Sequence, residues 1–337
     1  MLTKRGVGVI LLILYLKNHM TEGFMASYIT IDGGTTNTRI SLVCDKEIKK
    51  TVKLKIGARA SIDGNAPLKK GIKDAIDSLL AEFSLCESEI ERILASGMIT
   101  CEFGLCHLEH TYLPAGLAEL KETSKEVTIE EISSIPFVFV RGLKKLKESI
   151  LDTDMVRGEE TELMGIINEG AECVYVLPGS HSKVIEVGKD GKIIDFSTHM
   201  TGEMIAALSE NTILKDAVDL SCEELNEEYL MLGYDAAQKM GINAALFKTR
   251  ILKNLFGRTK CEVYSYFLGT VLSREAEEIG KLSAGKIVIG GKAEIKEALS
   301  IILRNTTNKR IIPLSEEEVA ESVTRGLIRI YEFPRAN

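Results

Sequence analysis

The chain has 337 residues, 45% hydrophobic and 27% charged, with a formal net charge of −7. That length suits about two domains, each with a sizeable core. Lysines and arginines are interspersed with acids rather than clustered, which excludes a basic footprint for nucleic acid or an anionic membrane surface.

The seven cysteines (44, 86, 101, 106, 173, 222 and 261) are odd in number and scattered. They read as reduced thiols of a cytoplasmic protein, not as a disulfide framework. Lys4-Arg5 precede an apolar run at 6–16, which is too short to cross a bilayer as a helix. A basic start and a short apolar run resemble a signal peptide, but reduced thiols argue against export. Residues 1–25 are therefore set apart as a tail or a misassigned start, with Met20 and Met25 close to the first core strand.

From there the pattern predicts strands at 28–32, 38–44 and 47–56, where β-branched residues alternate with polar ones. A helix at 66–83 follows from the spacing of Leu68, Ile72, Ala75, Ile76, Leu79 and Leu80. A short strand at 91–95 runs into Ser96-Gly97, a loop-rich stretch covers 97–117, a strand falls at 137–141 and a helix at 158–168. The second half repeats the order. Strands are predicted at 172–177, 182–188 and 192–197, then helices at 201–210, 223–240 and 262–281. A strand at 286–290, a helix at 292–303, a strand at 309–313 and a helix at 315–331 complete the chain. Three antiparallel strands followed by alternating helix and strand, twice over, give an α/β fold with mixed sheets. The boundary is expected where Asn168-Glu169-Gly170 ends a helix, dividing the chain into 26–168 and 169–337.

Each half carries a strand, a turn of small and hydroxyl residues, a cation and a second strand. In the first copy, Asp32-Gly33-Gly34-Thr35-Thr36-Asn37-Thr38-Arg39, glycines let the backbone approach a ligand and successive N–H groups can cradle phosphate. Asp32, at the strand end, can hold Mg²⁺ through water. The motif is neither a P-loop nor a dinucleotide fingerprint, because a strand and not a helix follows it. The second copy is Leu177-Pro178-Gly179-Ser180-His181-Ser182-Lys183, with Lys183 placed to offset charge on a transferred group. Two such turns point to a nucleotide held between related domains, and so to a phosphotransferase.

Further motifs fall near the expected cleft. In Arg157-Gly158-Glu159-Glu160-Thr161, Arg157 can grip a carboxylate and Glu159 or Glu160 can accept a proton; an acidic first helical turn is the plainer reading. Thr201 is a candidate N-cap, with Gly202-Glu203 facing the cleft. Gly290-Gly291, closing a strand, would let a base or ribose lie against the backbone. Ser96 and Met98, with Pro114-Ala115-Gly116 beyond them, flank a loop that reads as a substrate wall. Cys101, Cys106, His107 and His110 match a zinc pattern only loosely, since adjacent Cys106 and His107 would strain to hold one ion.

Together these residues resemble the 2-keto-3-deoxygalactonate kinase family of the sugar kinase/Hsp70/actin superfamily. Asp-Gly-Gly-Thr-Thr-Asn-Thr-Arg (32–39), Ser-Gly-Met-Ile (96–99), Pro-Ala-Gly-Leu (114–117), Arg-Gly-Glu-Glu-Thr (157–161), Leu-Pro-Gly-Ser-His-Ser-Lys (177–183) and Met-Thr-Gly-Glu (200–203) occur in family order across about residues 28–300. The family usually has Asp-Trp-Gly in the first motif, where this tryptophan-free chain has Asp32-Gly33-Gly34. The resemblance implies two RNase H-like domains flanking a nucleotide cleft, as in actin-like ATPases. It implies transfer of phosphate from ATP, with Mg²⁺, to the C6 hydroxyl of 2-keto-3-deoxy-D-galactonate.

On that reading Asp32, Glu159 and Lys183 are catalytic. Gly33, Gly34, Thr35, Thr36, Gly179, Ser180, His181, Gly290 and Gly291 bind nucleotide. Asn37, Arg39, Ser96, Met98, Arg157, Glu160 and Glu203 contact the sugar acid. Related sugar kinases place the base in a Gly-Asp pair upstream of the second phosphate turn. Gly158-Glu159 stands about 20 residues before Gly179, which favours Glu159 over Glu160. Rival readings are a kinase of the same fold for another sugar acid or polyol, and a non-catalytic ATP or sugar sensor. A homodimer stays open.

Overall fold

The computed structural model describes residues 26–334 apart from Asp63, Glu169, Ala171 and Glu223. The expectations for residues 1–25, and Glu169 of the domain boundary, lie outside the described residues.

In the first half, β1 (Ser27–Gly33), β2 (Thr38–Cys44) and β3 (Glu47–Leu54) form an antiparallel meander. Helix α1 (Ala66–Glu82) covers it, and all six apolar residues read from its sequence are buried. β4 (Ile90–Gly97) returns parallel to β1. β5 (Thr111–Tyr112), α2 (Leu117–Thr123), β6 (Lys125–Ile129), β7 (Ser133–Phe139), β8 (Leu143–Lys145), β9 (Asp154–Val156) and α3 (Glu159–Ile166) follow. In the second half, β10 (Cys173–Leu177), β11 (Ser182–Val187) and β12 (Ile193–His199) repeat the meander. They lead into α4 (Thr201–Asn211), α5 (Glu227–Met240), α6 (Ile242–Asn254), α7 (Lys260–Lys281), β13 (Lys286–Ile289), α8 (Ala293–Thr306), β14 (Arg310–Pro313) and α9 (Glu316–Glu332).

The two large sheets share one topology. Their orders are β3-β2-β1-β4-β7, with β6 added antiparallel at the edge, and β12-β11-β10-β13-β14. In each, the fourth and fifth strands run parallel to the first. A small sheet, β5-β8-β9, completes the first half.

Strand periodicity divides the core into three layers. Ile29 and Ile31 face α1, whereas Tyr28 faces the middle of the molecule. Val174 and Val176 face α4, α5, α7 and α8, whereas Cys173, Tyr175 and Leu177 face the middle. Helices α3 and α9 fill that middle layer between the sheets. Thus α9, last in the chain, packs on β1, β4 and α3 of the first half. Arg329 on α9 donates to the carbonyls of Met164 (2.6 Å) and Ile167 (3.1 Å), satisfying the C-terminal end of α3.

Some short elements escape the sequence reading. Helix α2, edge strand β6 and the short β8 and β9 fall almost entirely in stretches to which it assigned no element. The helix expected at 223–240 starts at Glu227, because Asn226 caps it by accepting from the Tyr229 N–H at 3.1 Å. Gly241, at φ 82°, ends α5 and lets α6 begin at once. Thr201 is the first residue of α4 rather than its cap. The expectation of seven reduced thiols is corrected at one pair: Cys222 and Cys261 form a disulfide, their Cα atoms 5.5 Å apart. The segment before α5 folds back on the start of α7, where the Asn226 N–H donates to Ser265 Oγ at 2.8 Å. A separation of 39 residues hides that proximity in the sequence. Among the described residues no helix is long and apolar enough to cross a membrane.

Helices α3 and α9 cross through reciprocal glycines. A Cβ on Gly165 would lie 1.8 Å from the Ser322 carbonyl oxygen, and one on Gly326 would lie 1.9 Å from that of Thr161. Gly326→Ala is expected to destabilise the fold by about 1–3 kcal/mol through overpacking. Chemical denaturation checks this, and an unchanged midpoint would contradict the packing argument.

Candidate active site

The first turn is built by close backbone contacts. The Gly34 N–H donates to the Asn37 carbonyl at 2.8 Å, leaving Thr35 and Thr36 exposed at the tip. Asn37 Nδ2 donates to Thr36 Oγ1 at 2.9 Å. A Cβ on Gly33 would sit 2.6 Å from that of Ile99, so this position accepts no side chain without movement. Ala58 and Arg59 donate from behind to the carbonyls of Gly34 (3.1 Å) and Thr35 (3.0 Å).

The second turn is held from two sides. Ser182 and Thr201 both donate their hydroxyls to the buried carboxylate of Glu275 on α7. This fixes the start of β11 against the start of α4. The Glu203 N–H donates to the Ser180 carbonyl at 3.1 Å, and the Glu203 carboxylate lies 3.1 Å from His181 Nε2. On the other side, the Lys292 N–H donates to the Pro178 carbonyl at 3.0 Å. Gly291 lies against the same carbonyl at φ 69°, where a Cβ would come within 2.1 Å of the oxygen. Gly179 is uncrowded, its nearest neighbour being 3.7 Å from a built Cβ.

Between these turns lies a cleft of about 740 Å³. Asp32, Gly33, Gly34, Thr35, Arg39, Met98, Arg157, Glu159 and Gly291 line it, as do Pro178, Lys292, Lys296 and one face of α9. Thr36, Asn37, Gly179, Ser180, His181, Lys183 and Gly290, on the turns and strand ends around it, and Glu203, in the first turn of α4, do not line it.

Two expectations are corrected. Ser96 pairs in register with Asp32, but it is fully buried within the sheet and its hydroxyl has no partner among the described residues. Glu160 is also fully buried; its carboxylate accepts from the Gly158 N–H (2.8 Å) and the Thr161 hydroxyl (3.0 Å). Neither reaches the cleft. Successive helical residues diverge by about 100°, which turns Glu160 inward when Glu159 faces out. The same rule brings Glu162 to the cleft, three residues beyond Glu159 on one face. The sequence reading missed Glu162, although the i,i+3 spacing was there to find it.

Two ion pairs border the cleft. Lys183 is buried at 4% exposure, and its Nζ lies 3.0 Å from Glu159 Oε1 while donating to the His181 carbonyl at 2.9 Å. The other Glu159 oxygen accepts from the Arg157 N–H at 3.1 Å. Arg39 and Asp32 pair at 2.9 Å. Burial raises the Asp32 carboxyl above its usual range, against the pull of Arg39. Burial, then the nearby Glu159, pushes Glu160 up to about 8. Burial, then Glu159 and Asp32, pushes Glu162 up to about 8, with Arg39 and Lys183 opposing. Among the described residues no group of three or more His, Cys, Asp or Glu side chains is arranged to hold a metal.

The Arg157 guanidinium is engaged by the loop that follows β4. Nη1 donates to the Thr100 carbonyl (2.8 Å) and hydroxyl (2.6 Å), and Nη2 to the Leu108 carbonyl (3.1 Å) and His110 Nδ1 (3.3 Å).

Glu160 has a raised pKa when folded and an ordinary one, 4.5, when unfolded. Between those values the folded chain binds more protons, so its stability is lost as pH rises toward 8. Denaturation from about pH 5 to about pH 8 should show wild-type stability falling relative to Glu160→Gln, which has no such proton. Parallel curves would rule this out.

The family model described as 2-keto-3-deoxy-galactonokinase matches residues 32–330. A probable 2-dehydro-3-deoxygalactonokinase of Rhizobium meliloti, DgoK1, is 28% identical over 315 residues, covering 89% of this chain and 95% of the relative. The 2-dehydro-3-deoxygalactonokinase of Escherichia coli K12 is 27% identical over 190 residues, spanning 56% of this chain and 59% of that protein. The crystal structure of a candidate 2-dehydro-3-deoxygalactonokinase from Sinorhizobium meliloti superposes with a TM-score of 0.73 at 21% identity, covering 90% of this chain and 97% of that one. The fold is therefore shared along nearly the whole chain, and the chain belongs to the 2-keto-3-deoxy-galactonokinase family.

Proposed function

We propose that this chain transfers the γ-phosphoryl group of ATP to the C6 hydroxyl of 2-keto-3-deoxy-D-galactonate. The observation that carries the reading is the Glu159–Lys183 pair, which joins a helix N-terminus of the first half to the second phosphate turn across one cleft. The two turns hold the triphosphate, and Gly291 with the facing side of α9 receives the nucleoside. Phosphoryl transfer asks mainly for alignment and charge compensation.

Glu159 accepts the proton of the attacking hydroxyl as the new oxygen–phosphorus bond forms and the bond to the β-phosphate breaks, leaving ADP. Lys183 offsets charge on the group in transit. Arg39, at the open side of the cleft, faces the substrate carboxylate. Asp32 and Thr35, both lining the cleft, would offer hard oxygen donors that suit Mg²⁺. When bound, Mg²⁺ would supply positive charge to offset that of the phosphates. Residues 26–168 and 169–337 are proposed as two lobes that close on the substrates, in a protein working in the cytoplasm.

The test is ATP turnover with Mg²⁺ against 2-keto-3-deoxy sugar acids, ordinary sugars and polyols. Strong turnover of 2-keto-3-deoxygalactonate is expected, and ATP binding without turnover of any acceptor would sink the reading. Glu159→Gln should lower kcat by about 10²–10⁴-fold with ATP binding retained. Normal turnover by that variant would remove Glu159 as the base.

A further inference from the structure

We propose that Arg157 is a positioning residue, one that bolts the 98–110 loop to the N-terminus of α3 and so sets the distance between the Met98 wall and the Glu159 carboxylate. This rests on the kinase reading of the cleft and departs from the sequence expectation that Arg157 grips the substrate carboxylate.

The loop has little regular structure and is wound around its own backbone. The N–H groups of Leu105 and Leu108 donate to the carbonyls of Ile99 (2.8 Å) and Thr100 (3.0 Å). Thr100 is fully buried, and its hydroxyl donates to the Gly97 carbonyl at 3.0 Å. Arg157 ties three points of this loop together. Its guanidinium reaches Thr100, Leu108 and His110, which are 57, 49 and 47 residues away in sequence. Its backbone N–H meanwhile holds Glu159. One residue therefore touches both the loop that carries Met98 into the cleft and the carboxylate proposed as base.

The neighbouring residue reinforces the joint. Gly158, at φ 112°, lets α3 approach Gly97 until a built Cβ stands 3.3 Å from the Gly97 Cα. His110 suits its place as acceptor. Burial, then the charges of Arg157 and Lys144, holds its imidazole down to about 4, so at neutral pH Nδ1 carries a free lone pair toward the guanidinium. A lysine at 157 is a single point charge and cannot reproduce a fork that spans carbonyl, hydroxyl and imidazole. Since the fork is already occupied, the cation left for the substrate carboxylate on this side is Arg39, which is 56% exposed.

The experiment is a cycle between enzyme and substrate. Wild type and Arg157→Lys are assayed on the sugar acid and on an analogue lacking its carboxylate, with thermal melts to confirm folding. The expected result is a loss of kcat of roughly 10–100-fold by the same factor on both acceptors, with KM for ATP within about twofold, because a misplacement of about 1 Å is costly to the chemical step. A loss confined to the carboxylate-bearing acceptor would overturn the proposal and restore a substrate clamp, and unchanged kcat would overturn it outright. Should Arg157→Lys fail to fold, His110→Leu removes one of the fork's acceptors. It should lower kcat on both acceptors by a common, smaller factor, and an unchanged kcat there would equally refute the role. If wild type phosphorylates a different acceptor, the assignment of sugar acid fails while the kcat-against-KM split on that acceptor still decides the role of Arg157.

Discussion

The layer between the two large sheets is arranged about the eight residues of α3. Its N-terminus fits against the first sheet because Gly158 and Gly97 carry no side chains there, and its middle crosses α9 through Gly165 and Gly326. Its C-terminal carbonyls are satisfied by Arg329. A helix this short has little stability of its own. It is held by what packs on it, and what packs on it is drawn from both halves of the chain. The same backbone contact that joins the sheets therefore fixes where Glu159 points.

That placement explains the electrostatics of the cleft. Burial disfavours charge on Asp32 and Glu162, and a cation pairs with Asp32 (Arg39) and with the neighbouring Glu159 (Lys183). One pair joins adjacent strands of the first sheet, and the other joins β11 to the start of α3. A polyanion entering the cleft would compete for those cations, so the resting charges are balanced in a way that a phosphate-bearing ligand would rearrange. Groups poised in this manner, with displaced proton affinities, mark functional sites more often than structural ones.

The site was legible where chemistry is local. Asp-Gly-Gly-Thr-Thr and Leu-Pro-Gly-Ser-His-Ser-Lys name their own turns, because small residues and hydroxyls in succession constrain the backbone directly. It was illegible where orientation decides. Ser96 and Glu160 stand in the right motifs, yet Ser96, on the same face of the sheet as Asp32, is covered by packing, and helical phase turns Glu160 inward. Arg157 has the right chemistry for a carboxylate, but the loop that occupies its fork lies about 50 residues upstream, and no pattern within the motif announces it. The Cys222–Cys261 bridge escaped for the same reason.

The sequence by itself determined the repeated α/β pattern, the strands of both meanders and the spacing of the apolar face of α1, since these depend on side-chain periods of two and 3.6 that any reader of the chain can count. Only the tertiary structure decided that α9 returns to the first half, that Lys183 meets Glu159, and which of two adjacent glutamates faces the cleft. Those outcomes depend on contacts between residues far apart in the chain, and such contacts are fixed by packing rather than by local order.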